Sequence, residues 1–296
     1  VHARDLKRKQ VKARVAEWRA RLKSSNGPSS PARDLYQGEH WSIVREIASI
    51  SRGEVLIASA GYGLIGLDTK IKSYSASFAS RDEDSVIPDS QRDDWGSYAS
   101  EWWAEQTRQR KRRKGEHTSL ADAVRACPSR PLIVAVSTPY LFAIADDLRE
   151  AVKALKGPRL LTILRPANAQ VPEGLKDYTV NFDGRLAAIL GGTLGSLNAR
   201  VTLSLVEEVE GPLVRKSVQD WIDQQMASAT PLEVPKRDRL SDEQIRAWIH
   251  RQLKAHGSSS HTRMLREFRD SDQACEQKRF RQLFKETVES SNGLFS

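Results

Sequence analysis

"GEVLIASAGYGLIGLDTKIKSYSASFA", from Gly53 to Ala79, sets a short apolar run, "EVLIAS", directly before a turn with three glycines within six residues, Gly61, Gly63 and Gly66. A run of that length, bounded by turn residues, suits a strand buried on both faces, as in a parallel sheet. Glycines permit positive φ and the close approach of another backbone or a ligand. Ligands in open α/β sheets gather outside the carboxyl ends of the strands. The turn therefore reads as a site. Tyr62 offers a flat ring suited to stacking on a base, Gly63 leaves room beside it, Tyr74 borders the pocket, and Asp68 supplies a carboxylate. The alternative is a tight turn whose tyrosine plugs the core and whose aspartate only closes the chain. The glycine spacing matches neither a phosphate loop nor a dinucleotide fingerprint.

Two further apolar runs, "PLIVAVS" (131–137) and "RLLTILR" (159–165), repeat the buried-strand signal, and "DYTVNF" follows. Helical spacing appears in "DLYQGEHWSIVREIASI", in "PYLFAIADDLREAVKALKG" and in "GRLAAILGGTLGSLNARVTLSLVEEV". This alternation predicts an α/β three-layer sandwich with a mostly parallel sheet over residues 32–230. Later strand-end segments would complete a pocket with Ser137 of "STPYL" and Asn198 of "GGTLGSLNAR".

Residues 1–23 read as a basic amphipathic helix with Leu6, Val11, Val15, Trp18 and Leu22 on one face, and residues 24–31, rich in Ser, Asn, Gly and Pro, as a linker. Between the first two strands, a charged insertion is expected at about 80–118. Its front is acidic, its middle holds Trp95, Trp102 and Trp103, and its tail "RQRKRRK" has six basic residues in seven positions. Arg110, Lys111, Arg112 and Arg113 are candidate phosphate contacts there, against the simpler reading of a solvated charge run.

Residues 236–296 read as a separate all-α module. Ser241 and Gln244 form a capping-box signature ahead of Ile245, Trp248, Ile249 and Leu253. A Met264, Leu265, Phe268 spine follows, then a last helix with Ala274, Phe280, Leu283 and Phe284 inward and Gln277, Lys278, Arg279 and Arg281 outward. Three short helices ending on a Gln/Lys/Arg face resemble a helix-turn-helix module, because reading base edges takes amide and guanidinium groups. An ordinary three-helix bundle has the same periodicity.

The formal charge is +9, from 47 basic and 38 acidic residues, which points to a polyanionic partner. No apolar run approaches the ~20 residues a membrane helix needs, and no hydrophobic signal region follows the basic start. With only Cys127 and Cys275 present, a reducing cytoplasm is expected. The chain opens on Val1 rather than Met, as a piece of a longer protein would. The histidines are scattered, and neither a metal site nor a cofactor is expected.

"ARDLYQGEHW" (32–41) and "IASAGYGLIGLDTKIKSYSASFA" (57–79) together resemble a bacterial family associated with phage defence, with DLYxG and SAxYGL motifs, that is distantly similar to the peroxide-stress DNA-protection family. The resemblance implies an α/β core and association with DNA, and it singles out Tyr36, Gly38, Ser59, Tyr62, Gly63, Leu64 and Tyr74. A looser similarity to uracil-DNA-glycosylase-like folds implies a strand-end acid and aromatic ring at a base pocket, although the signature and histidine loops of those enzymes are not recognisable here. Base excision requires an acid, an aromatic platform and edge-reading polar groups. Asp68, Tyr62, Ser137 and Asn198 could supply that set. The expectation is a DNA glycosylase-like enzyme acting on a modified or foreign base in phage defence. The alternative is a non-catalytic DNA-binding or DNA-protection protein.

Overall fold

The computed structural model describes residues 1–110, 115–229, 238–256 and 259–292. The chain forms two compact units, Val1–Pro231 and Leu232–Ser296. It is a mixed α/β protein.

In the first unit, α1 spans Val11–Ser24 and buries Val15, Trp18 and Leu22 at helical spacing. The predicted helix from Val1 is shorter than expected. Leu6 lies five residues before Val11, about 140° away on a helix, and the Lys7 and Arg8 amides instead bond the Glu17 carboxylate at 3.1 and 3.0 Å. The expected linker is partly strand: β1 (Ser29–Pro31) pairs antiparallel with β4, which follows below. The helix expected over "DLYQGEHW" is broken into α2 (Ala32–Leu35) and α3 (Glu39–Ile50), because Gly38 takes φ 93° between them.

The stretch around Gly53 folds differently from its reading as a strand of the parallel sheet. β2 (Leu56–Ser59) and β3 (Gly63–Gly66) form an antiparallel hairpin, with Ser59 opposite Gly63. Ala60, Gly61 and Tyr62 make the connection, and Gly63 closes it at φ 73°. A three-residue hairpin loop ending on a left-handed glycine favours local antiparallel return over a crossover. β4 (Lys70–Lys72) then completes the pairing with β1.

α4 (Trp95–Gln109) occupies the expected charged insertion, but it is a core helix. Tyr98, Trp102 and Trp103 are buried in the main apolar cluster with Trp18 and Leu64. Of the acidic front, Asp84 is buried and bonds His2 Nδ1 at 3.1 Å and the Arg4 amide, while Asp82, Glu83, Asp89, Asp93 and Asp94 are exposed. Lys111, Arg112 and Arg113 lie outside the described residues. α5 (Leu120–Ala126) begins at Ser119, whose hydroxyl accepts from the Asp122 amide.

The parallel sheet contains β5 (Leu132–Val134), β6 (Leu161–Pro166) and β7 (Thr179–Phe182) in that order, with α6 (Thr138–Ala143) and α7 (Ala145–Ala154) between the first two. β6 is buried throughout Leu161–Arg165, as a central parallel strand should be. Ile163 joins an apolar cluster with α7 residues Leu148 and Ala151. Leu164 joins Val180 and Phe182 in another cluster, which includes residues of the helices that follow. The single long helix expected after β7 is split into α8 (Arg185–Leu190) and α9 (Leu197–Glu208), because Gly191 and Gly192 take φ 69° and 72°. α10 (Arg215–Ser228) closes this unit. No helix among the described residues is long and apolar enough to cross a membrane.

The second unit contains β8 (Asp238–Arg239), α11 (Asp242–His256), α12 (His261–Asp270), β9 (Gln273–Ala274) and α13 (Gln277–Asn292). The capping box at α11 forms as read: the Ser241 amide bonds Gln244 Oε1 at 2.9 Å, and the Gln244 amide bonds Ser241 Oγ at 3.3 Å. Ile245, Ile249, Met264, Leu265, Phe268, Phe280 and Leu283 make its core. Ala274 belongs to β9, which pairs in parallel with β8, rather than to the last helix.

Candidate functional site

The motif residues of the opening stretch converge on one hydroxyl cluster. Tyr36 Oη and Tyr74 Oη share a hydrogen bond of 2.6 Å, Tyr74 Oη and Ser59 Oγ one of 2.7 Å, and Tyr36 Oη donates to Ser59 Oγ at 3.3 Å. Ser59 Oγ also accepts the Tyr62 amide at 3.0 Å, which fixes the hairpin turn to the same point. The rings interlock. Tyr62 meets Tyr74 edge-on at 5.2 Å, Trp18 does so at 6.0 Å, and Tyr36 stacks on Trp41 at 4.2 Å. Burial raises the Tyr36 phenol and drives that of Tyr74 well above its ordinary range. Burial thus favours the neutral phenols, which bond one another and Ser59.

Two helices hold this cluster from below. Trp102 Nε1 donates to the Ala60 carbonyl at 2.8 Å, while Trp18 Nε1 and Gln106 Nε2 both donate to the Gly61 carbonyl, at 2.8 and 3.0 Å. A Cβ on Gly61 would lie 2.6 Å from the Tyr74 ring. Close approach therefore does require that glycine, but what approaches is the protein's own ring.

Tyr62 and Asp68 are not brought together. They flank opposite ends of β3, about 13 Å of strand apart. The Tyr62 hydroxyl accepts the Lys72 amide at 2.9 Å and donates to the Lys72 carbonyl at 3.2 Å, which commits it to β4. Asp68 pairs with Arg33 at 2.5 Å, and its side chain is 78% exposed. It borders an open groove of 620 Å³ lined also by Arg33, Arg45, Glu54, Lys70 and His117, and Tyr62 is not in that lining. Gly63 shapes the hairpin and has the Gln106 side chain within 3.7 Å of where a Cβ would stand.

Ser137 and Asn198 both lie at the carboxyl end of β5. Asn198 Nδ2 donates to the Val136 carbonyl at 3.1 Å, and exposed Ser137 is the next residue. Tyr140, on α6, links this edge to the tyrosine cluster: its ring lies edge-on to Phe78 at 5.1 Å, its hydroxyl bonds Ser77, and the Tyr74 hydroxyl reinforces the upward shift that burial gives its phenol. Glu39, directly after the DLYQG motif, bridges the start of α3 to the approach to α9 through Thr193, Ser196 and Arg200. Trp18, Glu39, Gln106 and Tyr140 went unread as site residues. Only Glu39, adjacent to the motif, carried a local sequence signal.

Among the candidate DNA contacts, Arg110 pairs with Glu116 at 3.1 Å. On α13, Gln277 and Arg281 are exposed, in line with the outward reading. Arg279 is not free: it bonds Asp242 and the Leu240 carbonyl, anchoring α13 to the start of α11. Lys278 is on this helix, but its side chain lies outside the described residues. No group of three or more His, Cys, Asp or Glu among the described residues is placed to hold a metal ion.

A model of a family of unknown function, DUF6884, matches residues 21–123, about one third of the chain. The match takes in Tyr36, Ser59, Tyr62, Tyr74 and Gln106, and it stops before the parallel sheet and the second unit. No curated protein and no solved structure matches the chain.

Proposed function

We propose that this is a cytoplasmic DNA-binding protein in which a helix-turn-helix-like second unit contacts the duplex through α13, and in which the first unit is a three-layered α/β body. The observation that carries the reading is the division of α13 into two faces. Phe280 and Leu283 are buried in the unit's core, while Gln277 and Arg281, one turn apart, stand in solvent. An amide and a guanidinium on one exposed helical face are the groups that read purine edges and bind phosphates. The formal charge of +9 supports a polyanionic partner.

Binding or protection is favoured over base excision. The carboxylate that would assist bond cleavage stands in solvent against Arg33, and the ring that would hold a flipped base is committed to Lys72 and Tyr74. A role in phage defence, as the motif resemblance implies, belongs to the same proposal.

Fluorescence anisotropy with labelled duplex DNA across a salt series tests the reading. Log affinity is expected to fall linearly with log salt concentration. Absence of binding at low salt would overturn the proposal. An abasic-site assay on DNA carrying modified bases, run with wild type and Asp68→Ala, should stay blank for both; cleavage lost only in the variant would restore base excision.

A further inference from the structure

Two arginines among the described residues of the first unit, Arg14 and Arg165, are buried, and they are satisfied differently. Arg14 bonds the carbonyls of Leu6, Arg8 and Val86 at 2.7 to 3.0 Å, and its guanidinium has no orphaned nitrogen. Arg165, at the end of β6, is only 1% exposed and has no carboxylate partner among the described residues. Its Nη2 donates to Thr138 Oγ1 at 2.7 Å and to the Gln170 carbonyl at 2.9 Å, and its Nη1 reaches the Val136 carbonyl at a weak 3.4 Å. Nε is buried with no acceptor. A buried cation without a counter-charge is costly. Burial accordingly lowers the pKa of this guanidinium.

Arg165 is surrounded by acceptors, the Val136 and Gln170 carbonyls and Thr138 Oγ1, but three side chains at this edge have donor hydrogens left to give. Thr138 Oγ1 accepts from Arg165, so its proton is free to point elsewhere, and none of the described residues accepts it. Asn198 spends one Nδ2 hydrogen on the Val136 carbonyl and keeps the other. Ser137, between Val136 and Thr138, is exposed. All of this lies at the carboxyl edge of the parallel sheet, where α/β folds take their ligands.

From this juxtaposition we propose that the carboxyl edge of β5 and β6 is an oxyanion site that takes a phosphate group, with Thr138, Ser137 and Asn198 as hydrogen-bond donors and Arg165 as the buried positive charge beneath them. The site is separate from α13 and does not rest on the DNA reading. Ser137 and Asn198, expected to read a base edge, become phosphate ligands in this arrangement. The phosphate could be free inorganic phosphate or that of a nucleotide, since both present the same oxygens.

The test is a thermal-unfolding titration of the full chain with inorganic phosphate, thymidine 5′-monophosphate and thymidine, each against sodium chloride of equal ionic strength. Phosphate is expected to raise the midpoint beyond the chloride control. Thymidine 5′-monophosphate binding about tenfold more tightly would assign the site to a nucleotide; equal affinity would assign it to free phosphate. Thr138→Val and Asn198→Ala, each confirmed as folded by circular dichroism, should each weaken phosphate binding by about tenfold. Arg165→Met would abolish it, but that variant could unfold, so the two surface-side variants carry the decision. The proposal is overturned if phosphate does no more than chloride, if both variants bind like wild type, or if thymidine alone matches its monophosphate.

Discussion

Trp18 donates its indole N–H to the Gly61 carbonyl at 2.8 Å, and the same glycine is where a Cβ would meet the Trp18 ring at 3.1 Å and the Tyr74 ring at 2.6 Å. One residue of the hairpin turn thus receives a hydrogen bond from α1 and leaves the space that Tyr74 fills. Gly61→Ala is expected to destabilise the first unit by about 1–3 kcal/mol, the usual cost of overpacking a filled core. Urea unfolding followed by tryptophan fluorescence measures it. A midpoint equal to that of wild type would show that the Tyr74 ring yields without cost.

The tyrosine cluster makes stability sensitive to alkali. Burial raises the phenols of Tyr36, Tyr62, Tyr74 and Tyr140, and it pushes Tyr98 up to about 12, against an ordinary value of 10.0. The folded state then holds protons that the unfolded chain releases, so this contribution is complete below the unfolded pKa and is lost as pH rises through the folded values. Stability should be flat through neutral pH and fall above pH 10. Ultraviolet titration should show phenolate absorbance lagging behind that of the denatured chain until the protein unfolds. Tyr74→Phe removes the hydroxyl shared by Tyr36 and Ser59; it should cost about 1 kcal/mol at neutral pH and reduce the alkaline loss.

Asp147 tests how α5 is held. Its carboxylate accepts the Leu120 and Ala121 amides at 2.8 and 3.1 Å and Trp103 Nε1 at 3.1 Å, serving as a remote cap from α7. Burial raises its pKa in spite of those bonds. Asp147→Ala leaves three donors without their acceptor and should cost about 2–3 kcal/mol, read by chemical denaturation. Asp146→Ala next to it, on an exposed side chain, should cost under about 1 kcal/mol.

How far the sequence could be read depends on where the determining contacts lie. β5 and β6 were legible because each is a short continuous apolar run, and the helices of the second unit because their burial is periodic and their caps are local, as at Ser241 and Gln244. The hairpin was not. "EVLIAS" has the composition of a buried parallel strand, and what turns it back is a left-handed Gly63 supported by donors from Trp18, Trp102 and Gln106, about 40 residues away along the chain. α4 was read as an insertion for the same reason: its tryptophans are apolar at helical spacing, but the acids and bases on either side of them dominate the local composition. Tyr36, Ser59, Tyr62 and Tyr74 were found through their motif, yet only the folded arrangement separates them from Asp68.

Arg279 and Arg281 lie two positions apart on α13 and should respond oppositely to the same substitution. Arg281 is exposed and makes no ion pair among the described residues. Arg281→Ala should therefore leave unfolding unchanged, weaken duplex binding and reduce the salt slope by about one, as loss of one phosphate contact does. Arg279 holds Asp242 and the Leu240 carbonyl across the unit. Arg279→Ala should lower the stability of the second unit by about 1–2 kcal/mol, since a partly buried charge-assisted bond is lost. At temperatures where the unit stays folded, it should change the salt slope little. Calorimetry and anisotropy on both variants separate the two roles. If Arg279→Ala reduced the slope and Arg281→Ala did not, the recognition face would lie on the other side of α13, and Gln277 would no longer belong to it.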